Sequence, residues 1–411
     1  MSNVIRRVFA YFAVLINQTM EESVNTKNRS VWVDWTRVIA CFMVMVVHST
    51  EPFYLGGDGA QILTHTDALW ASFFDSLVRA CVPLFVVISC FLQFPLHYTA
   101  GEFFRRRAVR ILIPFAVWTV VYALVWGEPV QNFKDLIFNF NYSAGHLWYI
   151  YMLLGIYLLM PLLSPWAERV GRRELQLYLG VWFFTTLIPL VRDWMGGMPE
   201  VVYGPSGLPR QTLWPLWGEA SWNAYGLFYY FSGFIGYLLL GLYFRRFAGE
   251  WSWGRSVAVA VPCFLAGFAV SFFGFLRRVC ISCGGEFPAA GFVDTAVWWE
   301  TTWCNDTVGV ALMTVAWIIL LRKIKCGGAF YKRVVLPLSQ ASYGMYLCHL
   351  LILAYVSEVF RNMIGTGLDG RLGIWSTPVE IVASALCSFV CVAVVSVAVQ
   401  RIPKIGKYIM G

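Results

Sequence analysis

A series of long apolar stretches constrains this chain more than any other feature of its sequence. Hydrophobic residues make up 59% of the 411 residues and charged residues only 13%, whereas soluble domains are roughly 45–50% apolar and about 25% charged. A helix that crosses a bilayer needs about 20 predominantly apolar residues. We therefore predict an all-α integral membrane protein, with ten transmembrane helices at residues 33–54, 70–96, 108–126, 146–166, 175–194, 224–244, 256–276, 302–321, 335–360 and 378–399.

Basic residues predict the orientation of these helices. With the N-terminus in the cytoplasm, every inner segment carries basic residues, including the clusters at 105–107 and 322–333, and the outer segments carry far fewer. This asymmetry is the one that the positive-inside rule describes. We therefore predict ten spans with both termini cytoplasmic. The predicted division of the chain is a cytoplasmic or interfacial segment (1–30), a transmembrane domain (31–400) and a cytoplasmic tail (401–411).

Residues 31–51 form the apolar helix with the most informative polar groups. Asp34 and Arg37 lie near its start, and His48 follows eleven residues after Arg37. Eleven helical residues bring His48 back to within about 20° of the direction of Arg37 and about 16 Å further along the axis. Ionisable residues in a membrane helix are costly and are by default candidates for function. The alternative is that Arg37 reaches the lipid headgroups and His48 hydrogen-bonds to a neighbouring helix.

Two further arginines stand at the start of the third predicted span. Arg107 and Arg110 are three residues apart, so they share one helix face. Basic residues at an inner boundary are also the orientation signal itself, but Arg110 is followed at once by apolar sequence. Together with Arg37 they would form a cationic cluster suited to phosphate groups, which guanidinium binds bidentately.

The other candidate groups lie toward the opposite side of the membrane. Arg79, in the second span, either pairs with Asp75 four residues earlier or contacts a substrate. Glu51 follows the histidine of the first span by three residues, where it either orients the imidazole or lies free among the headgroups. His146 opens the fourth span, and His349 lies near the outer end of the ninth.

Absent motifs narrow the possible chemistry. The chain has no Gly-x4-Gly-Lys-Ser/Thr phosphate loop, no His-Glu-x2-His zinc motif and no Gly-x-Ser-x-Gly nucleophile elbow. Cys280 and Cys283 lie close together in a predicted loop without a nearby histidine, so we expect no metal site, and a disulfide between them stays open. The net charge of +8 is spread between the spans, so we expect membrane lipids and no nucleic acid as partners.

At these residues the sequence resembles the acyltransferase 3 family of membrane proteins, which O-acetylate cell-surface glycans. The resemblance covers residues from about 31 to about 399 and is most similar to the enterobacterial-common-antigen O-acetyltransferase type. Five motifs carry it: Asp-x-x-Arg-x10-His at 34–48, Val-Pro-Leu-Phe-Phe-x-x-Ser-Gly at 82–90 with departures at Val86 and Cys90, Arg-x-x-Arg at 107–110, His-Leu-Trp-Tyr at 146–149, and Ser-Tyr-Gly-x-Tyr-Leu-x-His at 342–349.

The resemblance implies an acyltransferase-3-like bundle in a bacterial inner membrane, acting as an O-acyltransferase with acetyl-CoA as the donor. It implies that acyl-CoA binds from the cytoplasm to Arg37, Arg107 and Arg110. It implies that His48 acts as general base or transient acyl acceptor, tuned by Glu51 or Asp34. The hydroxyl of a cell-surface or lipid-linked glycan would enter near Arg79, His146, Trp148, Tyr343 and His349.

A transporter or flippase is the alternative, moving a polyprenyl-linked sugar or a small metabolite without chemistry. Such a protein would also need charged groups in the membrane. Transporters more often show inverted repeats and broken helices, and neither is evident in this sequence. The sequence leaves open the identity of the acceptor, the acyl chain length, and whether the chain forms a homodimer.

Overall fold

Long apolar helices make up most of the computed structural model, which describes residues 30–55, 60–126, 130, 142–194, 225–284, 287, 289–293, 300–403 and 405–411. Of the predicted N-terminal segment, it describes Ser30 alone. The helical form follows from the apolar sequence, because a backbone in hydrocarbon must satisfy its own polar groups. In chain order the helices are α1 (Val31–Thr50), α2 (His65–Val78), α3 (Cys81–Gln93), α4 (Ala100–Arg107), α5 (Ile113–Val125), α6 (Trp148–Arg169), α7 (Arg172–Trp194), α8 (Ile235–Arg246), α9 (Trp253–Cys283), α10 (Val308–Leu321), α11 (Leu336–Ile364), α12 (Ser376–Gln400) and α13 (Gly406–Met410).

Eight helical segments of the described residues are long and apolar enough to cross a membrane. Each overlaps one of the ten predicted spans, so the chain is a multi-pass membrane protein. The segments are Val31–Phe53, His65–Gln93, Ala100–Val125, Gly145–Arg169, Arg172–Trp194, Trp253–Cys283, Tyr331–Ile364 and Gly373–Gln400.

The other two predicted spans are shorter helices, so the count of ten is not confirmed. Helix α8 has 12 residues and α10 has 14, which give lengths of about 18 and 21 Å against a hydrocarbon core of about 30 Å. For α8 the sequence predicted a longer span because apolar residues continue into the 3₁₀ turn Gly226–Phe231. For α10 the predicted span began at residue 302, whereas the helix begins at Val308. The orientation of the helices in the membrane stays a prediction.

Helix α1 lies at the centre of the bundle. It packs against α2, α3, α11 and α12, and also contacts α10. Most of its residues are buried, including polar ones such as Asp34 and Thr36. A helix surrounded in this way presents its polar side chains to other helices and to internal space, not to lipid.

Two π-helical turns lie immediately before α5 and α11. They span Ala108–Leu112 and Tyr331–Val335. Each is followed by a helix that has proline near its start, Pro114 and Pro337. Proline lacks the N–H that a regular α-helical ladder needs, so the preceding turn widens.

The described residues also contain one pair of short strands. Strand β1 (Ala60–Ile62) pairs antiparallel with β2 (Gly291–Val293), which joins the connection after α1 to the connection after α9. The cysteines that the sequence analysis placed in a loop, Cys280 and Cys283, instead lie in the last turn of α9, and no disulfide joins them.

A close approach between α3 and α8 explains how Cys90 is tolerated where the family pattern has glycine. Cys90 is fully buried, and the facing residue on α8 is Gly241. A Cβ atom on Gly241 would lie 2.7 Å from the carbonyl oxygen of Val87 and 2.8 Å from Cβ of Cys90. The small residue that lets these two backbones meet is therefore supplied by α8.

We expect Gly241→Ala to destabilise the protein by about 1–2 kcal/mol, because the new methyl group must displace the α3 backbone. Thermal unfolding of the detergent-solubilised protein measures this change. Gly180→Ala on α7 is the matched control, since a Cβ there meets nothing within 4 Å, and it should be neutral or slightly stabilising. Equal stability of the two variants would contradict the close packing of α3 on α8.

Candidate functional site

One cavity, with a volume of about 1250 Å³, runs beside α1 and connects the two groups of residues that the sequence singles out. Arg37, Arg107 and Arg110 line what we call its arginine end, and His48, Glu51 and His146 line its histidine end. Helix α1 contributes a residue to each end because it is continuous from Val31 to Thr50. The separation of the two ends is therefore set by the length of one helix, about 16 Å between Arg37 and His48.

Asp34 holds the first arginine in place. Its Oδ1 accepts a hydrogen bond from Ser339 Oγ at 2.5 Å, and its Oδ2 accepts one from the Tyr331 hydroxyl at 2.7 Å. Arg37 Nη1 lies 3.5 Å from Asp34 Oδ1. Asp34 is only 1% exposed and precedes His48 by about 21 Å of helix. It is therefore too far away to orient the imidazole directly, and it positions Arg37 instead.

Arg107 and Arg110 reach the arginine end from adjoining segments. Arg107 is the last residue of α4, and Arg110 belongs to the π-helical turn Ala108–Leu112. The Arg107 guanidinium lies 5.5 Å from the ring centroids of Phe103 and Tyr157, and its Nε is buried without a hydrogen-bond partner. Among the described residues, no carboxylate forms an ion pair with either arginine. Both positive charges are therefore available to an anion in the cavity.

His48 and Glu51 form a pair at the histidine end. His48 Nδ1 lies 2.7 Å from Glu51 Oε1, and the two side chains are 18% and 30% exposed. Because an ionised carboxylate only accepts hydrogen bonds, Nδ1 carries the proton of this bond. The Nε2 atom is then left with a free lone pair, as a general base requires.

Two more imidazoles stand beside His48. The ring centroid of His349 lies 5.0 Å from that of His48 and 5.0 Å from that of His146. His146 lines the cavity, and both of its ring nitrogens are buried without a hydrogen-bond partner in the described part of the chain. His349 is completely buried, does not line the cavity and donates from Nδ1 to the carbonyl of Tyr346 at 2.5 Å. It therefore packs behind the other two rings and outside the cavity wall, and its predicted contact with the acceptor stays a prediction.

Neighbouring side chains fix Arg79 at the histidine end. Its guanidinium forms an ion pair with Asp75, with Nη2 3.1 Å from Oδ2, and donates to the Tyr54 hydroxyl at 3.3 Å. It also lies 4.8 Å from the ring centroid of Trp303. Asp75 accepts a further hydrogen bond from Thr50 Oγ1 at 2.9 Å. Of the two sequence interpretations the structural pair is present, and Arg79 still lines the cavity.

The two remaining predicted acceptor residues line the same cavity at different places. Trp148 packs against Phe234, with ring centroids 5.9 Å apart. The Tyr343 hydroxyl instead donates at 2.9 Å to the carbonyl of Ile111, in the π-helical turn of the arginine end. Tyr343 precedes His349 by six residues, which on a helix is about 9 Å. Tyr343 therefore belongs with the arginines, away from the predicted acceptor position.

Several polar residues of the cavity wall were missed by the sequence analysis. They are Gln93, Tyr157, Asp306, Gln340, Gln400 and Lys407. Gln93 had a usable signal, because it is a polar residue at the end of an otherwise apolar helix. Lys407 had none, because it follows the last predicted span and reaches the cavity only through the packing of α13.

A family model described as an acyltransferase domain, acyltransferase 3, matches residues 30–397 of this chain. The match includes the residues that define both ends of the cavity and ends before α13. No curated protein and no solved structure matches the chain.

We expect Asp75→Ala to destabilise the protein by about 3–5 kcal/mol, because it leaves the Arg79 charge buried without this carboxylate. The double variant Asp75→Ala, Arg79→Leu should recover much of that loss. Chemical or thermal unfolding in detergent compares the two. If the single variant is as stable as the unmodified protein, the ion pair does not support the histidine end.

Proposed function

This chain belongs to the acyltransferase 3 family, and on that basis we propose that it transfers an acyl group, most simply acetyl, from acyl-CoA to a hydroxyl group of a cell-surface or lipid-linked glycan. The single observation that carries the proposal is the shared cavity: three arginines line one end, two of which (Arg107 and Arg110) form no ion pair with a carboxylate among the described residues, and an imidazole bound to a carboxylate lines the other end. An acyl thioester on a long, multiply phosphorylated carrier needs both kinds of side chain in its binding site: cations for the phosphates and a base near the thioester.

The arginine end suits the phosphates of the donor. Arg37, Arg107 and Arg110 carry three positive charges, of which Asp34 offsets one. Guanidinium groups bind phosphate oxygens in pairs of hydrogen bonds. From this end, the extended pantetheine arm of CoA would reach along α1 over the roughly 16 Å to His48, which brings the thioester carbon to the imidazole.

In the proposed reaction, His48 Nε2 removes the proton from the acceptor hydroxyl, and the hydroxyl oxygen bonds to the thioester carbon. The carbon–sulfur bond then breaks, and the CoA sulfur takes the proton from the imidazolium. Glu51 orients the ring through Nδ1 and stabilises its transient positive charge. A second route has the same overall balance: Nε2 bonds to the thioester carbon and the carbon–sulfur bond breaks, so that CoA leaves as a thiolate. The acceptor hydroxyl oxygen then bonds to the acyl carbon, the carbon–nitrogen bond to the imidazole breaks, and the hydroxyl proton passes to the CoA sulfur. Neither route needs ATP.

The acceptor would enter at the histidine end. His146 and Trp148 line the cavity there, and Asp306 adds a carboxylate to the wall. Imidazole, indole and carboxylate groups are suited to hydroxyl groups and to the apolar face of a sugar ring. Membrane lipids would surround this site, which fits a lipid-linked glycan as well as a polymer.

The proposed membrane arrangement follows from the direction of the two substrates. Acyl-CoA is made in the cytoplasm and cell-surface glycans lie outside, so the arginine end would face inward and the histidine end outward. On this proposal the chain would lie in a bacterial inner membrane with both termini cytoplasmic, and α8 and α10 would complete ten spans. The segment 1–30 would lie at the inner surface.

We expect His48→Ala to abolish acyl transfer while leaving the binding of acetyl-CoA unchanged, because the variant loses the base and keeps the arginines. The assay supplies acetyl-CoA labelled in its acetyl group to membrane vesicles that contain the protein, and it measures label in the glycan and lipid fractions. His65→Ala is the control, since His65 is exposed and does not line the cavity.

Full transfer by His48→Ala would remove the catalytic assignment of this histidine. Binding of acetyl-CoA without any transfer by the unmodified protein, under conditions where label crosses the membrane, would favour transport without chemistry.

We expect Arg110→Ala to weaken the binding of acetyl-CoA by about tenfold, in line with a charged hydrogen bond of about 1.5 kcal/mol. Equilibrium binding of labelled acetyl-CoA to the purified protein measures this. Arg105→Ala removes an exposed arginine of the same helical segment that does not line the cavity, and it should bind normally. Equal affinities of the two variants would mean that these arginines serve only to orient the third span.

A further inference from the structure

The residues that follow the last long helix fold back into the bundle. Helix α13 (Gly406–Met410) packs against α5, α11 and α12. Gly406 and Met410 are buried. The predicted cytoplasmic tail is therefore, over these residues, part of the packed structure.

Specific contacts hold α13 in this place. The Trp118 indole N–H donates to the carbonyl of Ile409 at 2.9 Å, and Gln400 Nε2 donates to the carbonyl of Gly411 at 3.0 Å. Met410 fills the space over Gly344, where an added Cβ would lie 2.8 Å from the Met410 side chain. These contacts come from three different helices, so they define one docked position.

The docked segment lies at the arginine end of the cavity. Lys407 and Gly411 line the cavity together with Arg107 and Arg110. A Cβ on Gly411 would lie 2.9 Å from the carbonyl oxygen of Arg110, so the two segments are in direct contact. The docking of α13 thus brings a fourth cation to the arginine end.

Lys407 forms no ion pair with a carboxylate in the described part of the chain. Its ammonium group lies 4.9 Å from the ring centroid of Tyr408, its neighbour in sequence, and its side chain is exposed. A lysine is a flexible point charge that adapts to a single phosphate group, whereas the arginines suit paired oxygens. CoA carries a diphosphate and a separate phosphate monoester, which gives more anionic groups than the arginines alone can neutralise.

We propose that Lys407 binds a phosphate group of the acyl-CoA donor, so that α13 is a part of the donor site. This inference rests on the proposed function, because it assumes the same ligand at the arginine end. It adds to that function a binding residue that lies beyond the part of the chain matched by the acyltransferase family.

The experiment measures equilibrium binding of labelled acetyl-CoA to the full chain in detergent. Lys407→Gln should weaken binding about two- to fivefold, which is the effect of one partly exposed ionic contact, and should make the affinity less dependent on salt. Lys407→Arg, which keeps the charge, should bind like the unmodified protein. Lys332→Gln is the matched control, because Lys332 is exposed, lies in the second π-helical turn and does not line the cavity.

A second variant tests the docking. Trp118→Phe keeps the aromatic ring but removes the N–H that binds the Ile409 carbonyl, so it should also weaken binding although Lys407 is intact.

Unchanged affinity of Lys407→Gln, beside normal binding by the unmodified protein, would overturn the proposal. Lower thermal stability of both variants at unchanged affinity would assign α13 a purely structural role and would overturn it as well. If the unmodified protein fails to bind acetyl-CoA, the donor assignment under the proposed function fails, and that result is distinct from the other two.

Discussion

The cost of placing charge in a low-dielectric bundle governs the arrangement of this protein. An ionised side chain among membrane helices must be paired, hydrogen-bonded or open to an aqueous cavity. Asp34 is buried, and it is bonded to Ser339, Tyr331 and Arg37. Asp75 is equally buried and meets Arg79 and Thr50. Arg107 and Arg110, which form no ion pair with a carboxylate among the described residues, lie instead on the cavity wall. The cost of burying charge therefore explains both the ion pairs and hydrogen bonds within the bundle and the position of the arginines at the cavity.

The central helix α1 sets the distance between the polar groups at the two ends of the cavity. Because α1 is continuous, it sets one fixed distance between the arginine end and the histidine end, and its neighbours α3 and α11 complete the wall between them. A ligand that occupied both ends would have to be long, anionic at one end and reactive at the other. Such a ligand could not be replaced by a compact metabolite without leaving one end empty.

The periodicity of α1 could be predicted from the sequence, and so could the position of Arg37 and His48 on the same face of that helix, because both depend on a single helix. The depth and direction of other residues depend on packing between helices. Tyr343 and His349 stand on one helix only six residues apart, yet one bonds to the π-helical turn and the other lies behind two imidazoles. The shortness of α8 and α10 and the docking of α13 were also hidden, because hydropathy records how apolar a segment is and not where it turns.

The surroundings of the three imidazoles favour His48 as the proposed base. His349 uses Nδ1 to bind a backbone carbonyl and has no access to the cavity. His146 faces the cavity, but in the described part of the chain it has no partner that could stabilise a positive charge. His48 both faces the cavity and has Glu51 at 2.7 Å. A proton taken from the acceptor is best held where a carboxylate offsets its charge, and His48 is the one of these three described imidazoles that has such a partner.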